Sequence, residues 1–291
     1  MKQTIERKVR EGYLFDLPKY YTEGWAIFTK KPLPFIEFVV ITAIIGLVQS
    51  YIPLGGYING FLITPALGVG YYTAADIIKS NGNLKFAHFF DGFQYYIQLL
   101  VYTLLVALLL IVLIVALMVI GYLVIRPMIT PYGNPSGIGT TIGIFTLISF
   151  VIMLYVFASF LYATHFIVFA GQDAVNAMAS SRAIVGKNWL MILLMLLSFG
   201  VITIIAYAIV FFAISQFVVF PSFEEIKELT SSSIMMKFTE LSKELTIGIS
   251  IVSIIVTPVI HCVIHSSFRD IMDMDKGQEA DTLSHFIEKQ F

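Results

Sequence analysis

Six long apolar runs set the limits on what this chain folds into. Crossing a bilayer core of ~30 Å takes a helix of about 20 mostly apolar residues. Backbone amides inside hydrocarbon must bond to one another, which favours helices. The sequence therefore predicts an all-α, polytopic transmembrane helical bundle of six spans: Phe35–Tyr51, Tyr57–Ile78, Tyr95–Ile125, Ile138–Phe169, Trp189–Phe220 and Leu245–Ser267.

The composition agrees with a membrane protein and excludes several other classes. Of the 291 residues, 58% are hydrophobic and 13% are charged, whereas soluble globular chains have roughly 45–50% apolar and about 25% charged residues. The net charge of −1 provides no basic field for nucleic acid, so nucleic acid is not an expected partner. The single cysteine, Cys262, excludes an intramolecular disulfide and a cysteine metal cluster.

The lysines and arginines predict the orientation, because these residues favour the cytoplasmic side of short loops. The segments that alternate along the chain carry fourteen basic residues on one side and four on the other. Both termini fall on the richer side. We therefore expect a multi-pass plasma-membrane protein with a cytoplasmic N-terminal segment and interfacial helix (1–34), a six-span domain (35–268) and a cytoplasmic C-terminal tail (269–291).

Two cytoplasmic connections have the pattern of amphipathic elbow helices. In the first, Asn83–Tyr96, four phenylalanines fall at helical spacing on one face, while Lys85, His88 and Asp91 recur every third residue on another. Such a helix lies in the membrane interface with its apolar side down. Asp91 and Gly92 are the residues of interest in this first elbow.

The second elbow, Gly171–Trp189, has a stripe of small and apolar residues opposite a polar stripe. It also joins two apolar runs on the predicted inner side. Arg182 and Asn188 are its residues of interest.

Two prolines interrupt apolar runs that are both predicted to pass from outside to inside. Pro65 and Pro258 each follow a threonine, and each would free the carbonyl four residues earlier and kink a helix. A packing kink is one interpretation. A broken helix that lines a cavity is the other, and it makes a facilitative transporter with a cavity at spans two and six an alternative function.

Three histidines, His165, His261 and His265, fall at similar predicted depth near the inner side. Imidazole suits zinc, copper or iron, so a histidine-ligated, metal-dependent membrane enzyme is a second alternative. No further histidine box accompanies them, and the chain has no GxSxG, P-loop or GxGxxG motif. We therefore expect no catalytic residue and no cofactor.

Three stretches carry a family resemblance: "EGWAIFTKKP" (Glu23–Pro32), "FDGFQ" (Phe90–Gln94) and "AVNAMASSRAIVGKNW" (Ala174–Trp189). In this order they resemble an uncharacterised family of bacterial polytopic membrane proteins, similar to the membrane domain of some glycerophosphodiester phosphodiesterases. The resemblance implies six helices and no known catalytic residue. It does not bring the phosphodiesterase activity with it, because the soluble catalytic barrel of those enzymes is absent here.

The function expected from the sequence is that of a non-enzymatic integral membrane protein with an envelope- or lipid-related role. Its expected partners are membrane lipids. The sequence leaves its substrate or ligand, its protein partners and its oligomeric state open.

Overall fold

The structure, a computed structural model, describes residues 2–129, 138–215 and 231–275. Every regular element in these ranges is helical, and six stretches are long and apolar enough to cross a membrane. The predicted all-α bundle with six spans is confirmed. We number the spans one to six: Pro32–Gln49, Gly55–Lys79, Phe86–Pro127, Ile138–Ala170, Trp189–Ala213 and Ser250–Ile271.

Eleven α-helices, a π-helical turn and a 3₁₀ segment form these described ranges. Their bounds follow the predicted runs closely, although the predicted end of the fifth run (216–220) and most of the tail (276–291) lie outside the described residues. The helices are α1 (Lys2–Glu11), α2 (Leu17–Lys30), α3 (Pro32–Ser50), α4 (Gly55–Ile58), α5 (Thr64–Lys79), α6 (Tyr96–Ile129), α7 (Ile138–Ser159), α8 (Ala163–Ala170), α9 (Ala174–Val185), α10 (Trp189–Ser215) and α11 (Ser231–Ile271).

Spans two and six form the centre of the bundle. Half of the residues in their most apolar windows are buried, against 6% in span three. The N-terminal segment also joins this core, because α2 packs along the C-terminal half of α11. A Cβ placed on Gly24 would lie 2.5 Å from the Val263 side chain and 2.7 Å from its backbone nitrogen. Only glycine permits this approach, which brings the polar residues of α2 to the ends of spans two and six.

The second span is helical throughout, but it is not one continuous α-helix. A π-helical turn, Asn59–Ile63, separates α4 from α5, and Pro65 is the second residue of α5. A local π-helical adjustment of this kind lets a membrane helix accommodate a proline, because it gives the freed backbone groups new partners. Pro258, by contrast, lies inside α11.

The first elbow forms a 3₁₀ helix, Phe86–Tyr95, that continues into α6. With three residues per turn, the face toward α5 is Phe86, Phe89 and Gly92. Phe89 and Gly92 are buried, whereas Phe93 is 43% exposed. The four phenylalanines therefore do not share one face, which differs from the α-helical expectation.

The fourth apolar run breaks at a turn over residues 160–162, so α7 and α8 are separate helices. Ser181 of the second elbow compensates for the break. Its hydroxyl donates to the Ser159 carbonyl at 2.8 Å and accepts from the Tyr162 N–H at 3.1 Å. A helix break inside a bundle is tolerated where a neighbouring side chain satisfies the freed backbone groups in this way.

Candidate functional site

The C-terminal ends of spans two and six bring together a group of histidine, tyrosine and charged side chains. Tyr72 of α5 stands among the three predicted histidines. Its ring centroid lies 4.0 Å from that of His165, 5.3 Å from that of His261 and 6.4 Å from that of His265. The structure thus brings together side chains from α5, α8 and α11 that are up to 193 positions apart in the sequence.

Two of these histidines are fully buried with unsatisfied nitrogens. Neither ring nitrogen of His165 or His265 has a hydrogen-bond partner among the described residues. The Nε2 atom of His265 lies 3.3 Å from Oδ1 of Asp76 but without hydrogen-bond geometry. His261 differs, because its Nδ1 lies 2.8 Å from the Thr257 carbonyl oxygen.

The histidines do not form a recognisable metal centre. In the ranges that the structure describes, no three histidine, cysteine, aspartate or glutamate side chains are grouped so as to hold a metal ion. The ring planes of His165 and His265 are stacked at 18°, with centroids 5.8 Å apart. Metal binding at these histidines therefore stays a prediction.

A chain of ion pairs continues from His265 to the surface. Arg269 is only 2% exposed and pairs with both Asp76 of α5 and Asp275, the latter at 2.9 Å. Lys79 then joins Asp275 at 2.9 Å to Glu23 of α2 at 2.6 Å. The pKa of Asp275 is lowered overall: burial raises it, but the contacts with Lys79 and Arg269 outweigh burial.

A second branch ties the start of α2 to the end of α11. Asp270 accepts from the Lys19 ammonium at 2.5 Å and from the Tyr20 hydroxyl at 2.8 Å. The hydrogen bond to Asp270 raises the pKa of Lys19. Burial, together with the same carboxylate, raises the pKa of Tyr20. Beyond it, Asp273 pairs with Arg7 and Lys8 of α1.

This network fastens helices to one another. Removing one partner from a buried ion pair leaves an uncompensated charge, so each pair holds its helices in one register. The charged groups described here bond mainly to one another, and Arg269 also donates to the Ser80 hydroxyl at 3.5 Å.

A groove of about 450 Å³ lies between α2, α10 and α11; we call it the α2 groove. Its lining residues on α10 and α11 are all apolar, whereas each of the three from α2 carries a hydroxyl or an indole N–H. The lining consists of Tyr21, Thr22 and Trp25 from α2, Phe199 and Ile202 from α10, and Ile255, Val256, Val259 and Ile260 from α11. A smaller cavity of about 260 Å³ on the opposite side of α2 includes Glu23, Lys30 and Lys79.

The elbow residues singled out in the sequence lie apart from this cluster and have local structural contacts. Asp91 accepts weakly from Gln94 at 3.4 Å, and Gly92 is buried against α5. Arg182 is exposed on α9, while the Asn188 amide donates to the Tyr13 carbonyl at 2.6 Å. His88 lies on the first elbow, where its Nδ1 accepts the Lys85 N–H.

Asp76 and Lys79 lie at the C-terminal end of span two, and the sequence alone does not join them to α2 and α11. The pairing of Asp76 with Arg269 and of Glu23 with Lys79 depends on helix packing. The only local signal is that Asp76 and Arg269 fall at the C-terminal ends of apolar runs that are otherwise nearly free of charge.

Residues 38–268 match the family described as Domain of unknown function (DUF7847), and the chain therefore belongs to this family. No curated protein and no solved structure matches the chain. Membership in this family and the six candidate spans together fit a multi-pass integral membrane protein.

Proposed function

We propose that this protein is a non-enzymatic integral membrane protein of the plasma membrane, with both termini cytoplasmic and a lipid-related role at the inner leaflet. The observation that carries the proposal is the α2 groove, whose walls on α10 and α11 belong to candidate spans five and six. A groove built from membrane spans faces lipid, and α2 covers it at the end of the bundle that carries the charged network.

The surface around this end supports the same role. Trp25 is 52% exposed, and Val175 of α9 is 62% exposed. Arg182 and Lys187 are also exposed, on the same helix as Val175 and just after it. Exposed apolar side chains beside basic ones suit the headgroup level of a leaflet with anionic lipids.

The resemblance to the membrane domain of glycerophosphodiester phosphodiesterases is also consistent with a lipid-related role. Those catalytic barrels act on lipid-derived phosphodiesters, and a membrane domain beside them would meet lipid. The proposal takes only this association with lipid from the resemblance, and no activity.

The transporter alternative expects a cavity between spans two and six, around Pro65 and Pro258. The groove that flanks Pro258 is lined instead by α2, α10 and α11. Tyr71 and Tyr72 of span two pack against His261 of span six, with ring centroids 4.5 Å and 5.3 Å away. This geometry favours the lipid-related role over passage between these two spans.

The proposal is tested with purified protein in nanodiscs. Its thermal unfolding should shift to higher temperature when phosphatidylcholine is replaced by anionic phosphatidylglycerol, because the basic inner face attracts anionic headgroups. The double variant Arg182→Gln/Lys187→Gln should lose most of this shift. Mass spectrometry of the lipids after incubation should show no turnover. Lipid hydrolysis, or a thermal midpoint that is the same in both lipids, would refute the proposal.

A further inference from the structure

The α2 groove has chemically different walls, one on α2 and the other on α10 and α11. Six lining residues on α10 and α11 are apolar, and the three on α2 are Tyr21, Thr22 and Trp25. The Thr22 hydroxyl donates to the Pro18 carbonyl at 3.0 Å. Trp25 contributes an indole N–H, which acts only as a donor. A ligand that fits both walls is apolar over most of its length and accepts a hydrogen bond near α2.

The walls of the groove are held in place by specific contacts. The Tyr21 hydroxyl and the Ser198 hydroxyl lie 2.6 Å apart and join α2 to α10. On the other side, the close approach of Gly24 to Val263 joins α2 to α11. A groove whose walls are fixed before binding needs little reorganisation to accept a ligand.

The volume of the groove matches a single chain. A methylene group has a volume similar to the ~30 Å³ that a water molecule takes in the liquid. The groove volume of 450 Å³ therefore corresponds to roughly 15 methylene groups. That is one acyl chain of ordinary length. The groove is too small for both chains of a diacyl lipid.

The depth of the groove indicates that the chain comes from the bilayer. Its walls belong to spans five and six, where the surrounding medium is hydrocarbon. An acyl chain that moves there from other chains gains no hydrophobic energy, since lipid tails are as apolar as the groove. Binding therefore depends on close dispersion contacts with the fixed walls and on the hydrogen bond near α2.

We propose that one acyl chain of a membrane phospholipid occupies the α2 groove, with its ester group toward Trp25 on α2. The inference rests on the proposed lipid-related role and names its site and ligand class. The chain lies against the apolar faces of α10 and α11, and the ester carbonyl accepts the indole N–H at the level where amphipathic aromatic rings reside.

The two tryptophans of the chain allow a direct test. Trp25 lines the groove and Trp189 does not, so the variant Trp189→Phe leaves Trp25 as the single fluorophore. In vesicles that contain phosphatidylglycerol with brominated chains, Trp25 emission should be quenched. Adding Val256→Phe, which fills the groove, should reduce the quenching at least twofold. Adding Val112→Phe, on the 61%-exposed lipid face of α6, should leave the quenching unchanged.

Lipid retention provides the second measurement. Mass spectrometry of protein in mild detergent should find about one phospholipid per wild-type chain and per Val112→Phe chain. Retention should fall severalfold in Val256→Phe and also in Trp25→Phe, which keeps an aromatic ring but removes the N–H. If Val256→Phe does not fold, Trp25→Phe decides the question by itself.

Equal quenching and equal retention in the groove variants and in Val112→Phe would overturn the inference. That result would leave the proposed function intact if phosphatidylglycerol still stabilises the protein. If phosphatidylglycerol does not stabilise the wild-type protein, the proposed function itself fails.

Discussion

The crossing of α5 with the first elbow depends on two glycines, and Gly70 gives the sharpest test. A Cβ at Gly70 would lie 2.0 Å from the Phe89 carbonyl oxygen, whereas real Cβ contacts essentially never fall below 3.0 Å. The elbow must therefore move by at least about 1 Å (3.0 − 2.0), and the obstacle is backbone rather than a flexible side chain. Overpacking of this kind typically costs ~1–3 kcal/mol.

Gly68, two residues earlier on the same helix, is the matched control. Nothing lies within 4 Å of a Cβ at Gly68. Replacing glycine by alanine inside a helix stabilises by roughly 0.5–1 kcal/mol, and this gain is common to both variants. We therefore expect Gly68→Ala to be slightly more stable than wild type, and Gly70→Ala to fall ~1–3 kcal/mol below Gly68→Ala.

The single cysteine provides the assay. Cys262 is fully buried, so a thiol-reactive dye labels it only when the bundle opens. Labelling during a titration with denaturing detergent gives the free energy of unfolding of each variant. If Gly70→Ala proves as stable as Gly68→Ala, the close crossing of α5 and the first elbow is not present in the protein.

Three further predictions concern the ion-pair network and the turn between α7 and α8, and they use the same labelling assay. Arg269→Met should cost ~3–5 kcal/mol, because it leaves Asp76 without its cation; adding Asp76→Asn should recover part of this loss, and strictly additive costs would contradict the pairing. Ser181→Ala should cost ~1–3 kcal/mol by leaving the backbone groups at the turn between α7 and α8 unsatisfied, and a neutral effect would contradict that role. The lowered pKa of the Asp275 carboxylate should contribute stability above its unfolded pKa of about 3.9, and this stability should be lost as the pH falls through the lower folded pKa. Lys79→Met should make the acid side of the stability profile shallower, and an unchanged profile would count against the ion pair.

Hydrophobic length was enough to predict the number and order of the spans, because the need to satisfy backbone amides in hydrocarbon acts on each run separately. It could not show how a run is divided internally. The turn after Ser159 depends on Ser181, which is 22 residues away and acts through space. The π-helical turn before Pro65 likewise interrupts a run whose composition stays apolar throughout.

The first elbow illustrates a different limit. Helical periodicity assigned its phenylalanines to one face on the assumption of 3.6 residues per turn. The close approach to α5 at Gly70 and Gly92 selects a 3₁₀ helix instead, and with it a different face. Packing overrides local propensity here, and a single sequence does not contain the partner surface that causes it.

The site shows why charge was harder to place than hydrophobicity. Asp76 and Arg269 each look like ordinary polarity at the end of an apolar run, and Glu23 looks like ordinary polarity in the N-terminal segment. In the structure, Arg269 is 2% exposed, and carboxylates from α5 and from the residues after α11 compensate for the burial of its charge.

The same ion-pair network also holds the α2 wall of the groove in place. Lys79 and Asp270 also hold α2, so the helix that covers the groove is fastened by charge at one end of the bundle. Weakening either contact should loosen this wall of the groove, because Lys79 and Asp270 bind Glu23 and Lys19 of α2 directly.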